Sequence, residues 1–156
     1  MFKSIDELDK FSFDDAVCVE INKAQDGIVI DCEALIVKPN NSQNTNFTES
    51  YAGPSVIKFE NGSIENIEKA GFKYYDANGK LIKDVPDEPV NKVSWGGLIK
   101  SFSGMYLSNV TKEGETYLAE IEFTDDDGAV ADTYLVTVKA TGFLVTWEKY
   151  LNRVQR

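Results

Sequence analysis

The residues of this chain that could do chemistry are carboxylates. Between positions 113 and 132 stand Glu113, Glu115, Glu120, Glu122, Asp125, Asp126, Asp127 and Asp132, with no Lys or Arg among them. Such a cluster can neutralise a basic surface, hold a calcium ion, or divide into a protonated acid and an ionised partner for cleaving a glycosidic bond. The calcium loop fails on spacing. With Asp127 and Gly128 at the fifth and sixth positions of an EF-hand loop, Phe123 falls first and Tyr134 twelfth, and neither can ligate. Glu120 and Glu122 share one strand face about 7 Å apart, which suits a solvated surface better than an acid pair. Asp126 and Asp127 with Gly128 suit a tight turn, because Asp and Gly tolerate positive φ. Asp132 is expected to point inward opposite Ile121, as a perturbed carboxyl or as a charge that blunts a sheet edge near the turn.

The chain has no histidine, and this excludes more than any residue present. Ser-His-Asp and Cys-His hydrolases, the common zinc sites and the 2-His-1-carboxylate iron sites all need one. Sixteen Lys and Arg against 26 Asp and Glu leave a net charge of -10, which repels phosphate backbones and anionic lipid. Ser94-Trp95-Gly96-Gly97 has neither a P-loop nor a dinucleotide spacing. The expectation is a protein without nucleotide cofactor, structural metal or nucleic-acid partner, and not an enzyme.

The elements that position these residues read as strands. With 156 residues, 42% of them apolar, the chain is long enough for one globular domain, residues 1–156, with its own core. Ser4 and Glu7 carry the capping-box spacing and predict a short helix near 4–10. Period-two patterning predicts strands near 15–22, 28–38, 55–60, 72–76, 80–85, 105–111, 116–123, 130–139 and 142–149. Residues 63–70 suit either a strand or a helical turn, and residues 94–102 a weak helical turn. The fold class is mainly β, an antiparallel sandwich or half-open barrel of about 8–9 strands.

Agreement of apolar faces then predicts a C-terminal four-stranded meander. Phe123 pairs with Val130, Ala119 with Tyr134, Tyr117 with Val136, and Val138 with Phe143. Its inner face carries Tyr106, Val110, Tyr117, Ala119, Ile121, Phe123, Tyr134, Val136, Val145 and Trp147. The outer face mixes Leu118, Leu135 and Leu144 with Glu120, Glu122, Thr133 and Thr146, and invites a cover: the N-terminal hairpin, the N-terminal helix or a second copy as a homodimer.

Cys18 and Cys32 flank a predicted Asp26-Gly27 turn. A two-residue turn there puts Ile21 opposite Cys32 and turns Cys18 away, so two free thiols are expected, as in a reducing compartment. Residues 38–55, rich in Asn, Ser and Thr, read as a polar connector. No apolar stretch approaches membrane-spanning length and no signal-like h-region opens the chain, which reads as cytoplasmic. Tyr74-Tyr75-Asp76-Ala77-Asn78-Gly79-Lys80-Leu81 resembles the hairpin of bacterial cell-wall-binding repeats, over this one hairpin and in one copy. A type I′ turn at Asn78-Gly79 accounts for it, and no function is carried across.

Two functions from different classes follow. The first is a non-enzymatic acidic interaction protein, of the inhibitor or immunity type, that meets a basic protein through Glu120, Glu122, Asp125, Asp126 and Asp127. The alternative is a small-ligand β-barrel with a pocket lined by aromatics such as Tyr106, Tyr117, Tyr134, Phe143 and Trp147.

Overall fold

The computed structural model describes residues 1–125, 127–128 and 130–155, with Val130 as backbone, and is mainly β and antiparallel. In chain order the strands are β1 (Phe2–Ile5), β2 (Phe11–Ser12), β3 (Val17–Ala24), β4 (Gly27–Glu33), β5 (Ile36–Val37), β6 (Ser50–Ala52), β7 (Ser55–Glu60), β8 (Ser63–Lys69), β9 (Phe72–Tyr75), β10 (Leu81–Val85), β11 (Glu88–Pro89), β12 (Tyr106–Glu113), β13 (Thr116–Thr124), β14 (Val130–Lys139), β15 (Gly142–Trp147) and β16 (Tyr150–Arg153). One short helix, α1 (Trp95–Ser101), precedes β12. No helix among the described residues is long and apolar enough to cross a membrane.

Ten strands form one sheet in the order β1-β15-β7-β4-β3-β12-β13-β14-β8-β11. β7 and β8 stand far apart in that order, yet only Asn61 and Gly62 join them. β14 and β15 are likewise separated and joined by Ala140 and Thr141. Both short links can be satisfied only if the sheet folds over, so that β1-β15-β7-β4-β3 faces β12-β13-β14-β8-β11 as two leaves. The links are tied to each other: the Thr141 N–H donates to the Glu60 carbonyl at 2.9 Å, and Asn61 Nδ2 donates to Thr141 Oγ1 at 2.9 Å. At the crease a single ladder pair, Tyr106 with Val17, connects the leaves. It is supported by the Cys18 N–H on the Met105 carbonyl (2.7 Å) and the Leu107 N–H on the Ala16 carbonyl (3.0 Å). β1 and β11 end the order, so the sheet is half-open.

The core lies between the leaves and holds Tyr117, Phe59, Phe143, Ile57, Ile121 and Leu107, each almost fully buried. Tyr117 of one leaf stacks on Phe143 of the other with centroids 5.9 Å apart, and Phe59 meets the Tyr117 ring edge-on at 5.3 Å. Burial of such aromatic area is the main favourable contribution to the fold.

Several registers differ from expectation, and each has a local cause. β12, β13 and β14 run in meander order, but the β13–β14 ladder lies two residues from expectation: the turn pairs Thr124 with Val130, and an irregularity between Phe123 and Thr124 adds one more, pairing Ala119 with Val136 and Tyr117 with Val138. A shift of two keeps the inward set inward. β15 leaves the meander, because the Ala140-Thr141 link crosses between leaves, and it pairs with β7 and β1. A bulge between Leu107 and Asn109 reverses the parity of β12: Leu107 is buried and Tyr106, expected inside, is 44% exposed. In β3 and β4 the turn residues are Gln25 and Asp26, one position early, because Gly27 packs against β7 where a Cβ would sit 2.2 Å from the Phe59 carbonyl oxygen. That register, with a bulge at Val19, sets Cys18 directly opposite Cys32, not facing away from it. Both thiols are free and buried.

The expected helix at 4–10 is strand β1, paired with β15, followed by a single 3-10 turn at Leu8–Lys10. The capping-box pair is nevertheless bonded, Ser4 Oγ donating to Glu7 Oε1 at 2.8 Å. Residues 38–55 are no loose connector. Asn44 Nδ2 donates to the carbonyls of Val37 and Lys38, both at 3.1 Å, and of Thr48 at 2.9 Å, while the Ser42 N–H donates to Glu7 Oε2 at 2.9 Å. Strands β16-β6-β5-β2 form a small second sheet beside this segment.

β9 and β10 form an isolated two-stranded arm that leaves Phe72, Tyr74, Tyr75, Leu81 and Ile82 exposed. Its turn is not type I′. Only Gly79 has positive φ (80°), and the Asp76 carboxylate closes the loop by accepting from the Asn78 and Lys80 N–H groups at 2.9 Å each.

Candidate functional site

The N-terminal segment from Asp6 to Asp14 crosses the end of the folded sheet and approaches β12, leaving a cleft of about 920 Å³. Its floor is apolar, from Phe11, Phe13, Val110, Tyr117 and Phe143, and its rim is charged, with Asp6, Asp9, Asp14 and Glu49 against Lys38 and Lys112. The volume lies within the range of small-molecule sites.

Each element brings its residues there for a structural reason. Asp6 sits in a left-handed turn (φ 52°) directly after β1, a conformation Asp tolerates better than most residues. Its Oδ1 accepts the Phe143 N–H at 2.9 Å, which fixes the carboxylate at the mouth. Phe11 and Phe13 follow with period-two spacing, and both are buried. Lys38 Nζ donates to the Asp9 carbonyl at 3.1 Å, and Lys112 Nζ lies 5.7 Å from the centre of the Tyr117 ring.

Tyr117 is 1% exposed. Among the side chains of the described residues only the Trp147 indole N–H is both sealed from solvent and without a hydrogen bond. The Tyr117 hydroxyl makes no hydrogen bond either, so it opens on to the cleft that its residue lines. Burial pushes its pKa up, and the negative charges of Asp6 and Glu60 push it further, so the group stays a neutral phenol with one donor and two lone pairs to offer.

Of the five aromatics expected to line a pocket, the cleft takes Tyr117 and Phe143. Tyr134 packs with Phe102 (5.7 Å) and Phe123 (5.3 Å), away from the cleft. Trp147 is enclosed by Phe2, Phe11 and Tyr150, with centroids 5.5–6.0 Å away. Tyr106 is on the outer face. The cleft's other partners went unread because residues 4–10 were expected to be helical. The alternation Phe11-Ser12-Phe13 among Asp6, Asp9 and Asp14 was the available signal.

The expected acidic surface is divided. Glu120 and Glu122 lie on the outer face of β13, where Glu120 is opposite both Asn109 and Leu135, and Leu135 is opposite Glu68 of β8. Asp125 and Asp127 belong to the β13–β14 turn, the Asp127 N–H donating to Asp125 Oδ1 at 2.9 Å; Asp126 lies outside the described residues. Asp132 is opposite Phe123, not Ile121, and pairs with Lys69 at 3.4 Å on the surface. Leu118 and Leu135 share the outer face of one leaf, whereas Leu144 is on the other, so the three do not make one face.

The thiols offer no nucleophile. Burial pushes both Cys18 and Cys32 up to about 12, with the Asp31 charge adding to Cys18 and the neighbouring Cys18 to Cys32. Among the described residues no group of three or more His, Cys, Asp or Glu side chains is placed to hold a metal ion. Comparison with protein families, with characterised proteins and with solved structures finds no match to this chain.

Proposed function

We propose that the protein binds a small organic ligand in the cleft between its N-terminal segment and β12. The observation that carries this reading is the Tyr117 hydroxyl, buried, without a protein partner and facing a cleft of about 920 Å³. A hydroxyl that opens on a cleft and has no protein partner is available to a ligand, whose bond to it gives orientation. The test is calorimetric titration of small ligands differing in charge, run on the wild type and on Tyr117→Phe. Because the hydroxyl bonds to nothing in the protein, Tyr117→Phe should keep the fold and weaken binding. Equal affinity in the two proteins, or no binding by any ligand, would refute the reading.

A second reading, an acidic protein that meets a basic partner, is supported by the row Glu120, Leu135 and Glu68 on the outer face, where two carboxylates flank a half-exposed apolar residue. Complementary charge at such a row speeds encounter and sets register.

A further inference from the structure

We propose that Cys18 and Cys32 are a modification site: a small disulfide oxidant, glutathione disulfide, joins them into a cross-strand bridge that pins β3 to β4 within the fold as it stands.

Cys18 is directly opposite Cys32 in the β3–β4 ladder, so both side chains leave the same face of the sheet. Opposed residues of an antiparallel pair are of two kinds, and the backbone bonds of Cys18 decide which kind this is. Its N–H donates to the Met105 carbonyl at 2.7 Å, and its carbonyl accepts the Gly104 N–H at 2.8 Å. Both groups are turned to the crease, away from β4. The cysteines are therefore a non-hydrogen-bonded pair, in which Cα atoms stand about 4.5 Å apart and side chains approach most closely. That separation lies within the span of about 4.4–6.8 Å that a disulfide bridges.

The surroundings leave the pair to itself. The chain has two cysteines, so no third thiol competes for the bond. Both side chains lie in the core, at 0% and 1% exposure. Cys32 Sγ lies 3.6 Å from the Glu33 carbonyl oxygen, a weak thiol bond that is easily given up.

The exchange takes two steps. The thiolate of one cysteine attacks glutathione disulfide, forming a mixed disulfide and releasing one glutathione. The thiolate of the other then attacks the protein sulfur of that mixed disulfide, forming the Cys18–Cys32 bond and releasing the second. The two cysteine protons end on the two glutathione thiolates; the cysteines lose two electrons and the glutathione disulfide gains them. Burial decides when this happens. The closed core hides both sulfurs, so exchange runs while β3 and β4 are parted, during folding or a transient opening, and the closed fold retains the state it was given.

The test equilibrates folded, reduced protein in mixtures of reduced and oxidised glutathione, with urea kept below the unfolding transition so that the strands open transiently. Samples are quenched in acid, alkylated with iodoacetamide in denaturant and weighed once the product no longer changes. The expected product is a monomer with neither alkyl group nor glutathione. Its Tm should lie roughly 6–12 °C above that of the reduced protein, the gain from closing the loop of residues 18–32. By the same cycle, half conversion of the urea-unfolded chain should need about a hundredfold more oxidised glutathione at fixed reduced glutathione. Cys18→Ala cannot bridge and should show no rise in Tm in the oxidising mixtures. Thiols free at every ratio, or glutathione retained on either cysteine, overturn the proposal. So do a bridged chain no more stable than the reduced one, conversion equally easy in the unfolded chain, and an equal rise in Cys18→Ala.

Discussion

Glu7 is a buried charge whose loss should destabilise the fold. It is 8% exposed, yet carries a charge. Both its oxygens accept hydrogen bonds: Oε1 from Ser4 Oγ at 2.8 Å and from Ser42 Oγ, Oε2 from the Ser42 N–H at 2.9 Å. Lys10 Nζ lies 3.5 Å from Oε2. Glu7→Ala removes the acceptor and leaves one backbone donor and two hydroxyls facing a nearly closed space. Hydrogen bonds to a charged acceptor contribute about 1.5–3 kcal/mol each, and the hydroxyls can turn elsewhere, so the expected loss is about 2–4 kcal/mol. For a chain of this length that is a fall in Tm of roughly 4–16 °C. Glu7→Gln should cost about half as much, because its carbonyl can still take the Ser42 N–H while its amide donates to the hydroxyls.

Acid unfolding gives an independent measurement of the same group. Burial raises the Glu7 carboxyl, but the bonds from Ser42 and Ser4 and the charge of Lys10 outweigh it and hold the group below its ordinary value. A depressed folded-state pKa means stability that is complete above the unfolded value of about 4.3 and lost as pH falls through the folded one. Urea denaturation followed by tryptophan fluorescence at a series of acid pH values should show a shallower acid decline for Glu7→Gln than for the wild type. Parallel acid limbs, or a Glu7→Ala protein within about 0.5 kcal/mol of wild type, would refute the assignment.

Cys18 and Cys32 should resist iodoacetamide in the native protein at pH 8 and both react after denaturation, since burial holds both thiols near 12; rapid native labelling would contradict their placement in the core. For the outer face, Glu120→Gln with Glu122→Gln should abolish salt-sensitive capture on a lysozyme-type basic surface while leaving the unfolding midpoint within about 0.5 kcal/mol, because both side chains are only part-buried. Unchanged capture would remove that row from the interaction reading.

Strand existence was legible because β-branched and aromatic residues alternate between turn signals, and β7, at 55–60, falls where the pattern places it. Faces were less legible than strands. Bulges at Val19 and Ser108, and the irregularity after Phe123, change the residue count on one side of a ladder with no mark in composition. Cys18 and Tyr106 were therefore assigned to the wrong faces. The partner of β15 was hidden for a different reason: a two-residue link suits a hairpin, and nothing local says that Ala140-Thr141 crosses between leaves. The cleft depended on that crossing and on the chain from Asp6 to Asp14, so its residues could not be assembled from any one stretch. The Asn-rich segment misled in the opposite sense, since the side chains that suggested a loose loop are those that bond it in place.

The pairing of β1 with β15 has a consequence for how the molecule comes into being. On a ribosome, β3, β4 and β7 can associate as soon as residue 60 has emerged, but the second strand of the chain's outer edge does not exist until synthesis reaches Trp147. Until then Phe2 lacks the Trp147 and Tyr150 rings it rests on, and β7 presents an open flank to any neighbouring strand. Such long-range closure is the slow part of folding. β1, made well before its partner, is among the last strands to settle, and a chain stalled before residue 142 would lack the strand that seals that flank and would be prone to aggregate.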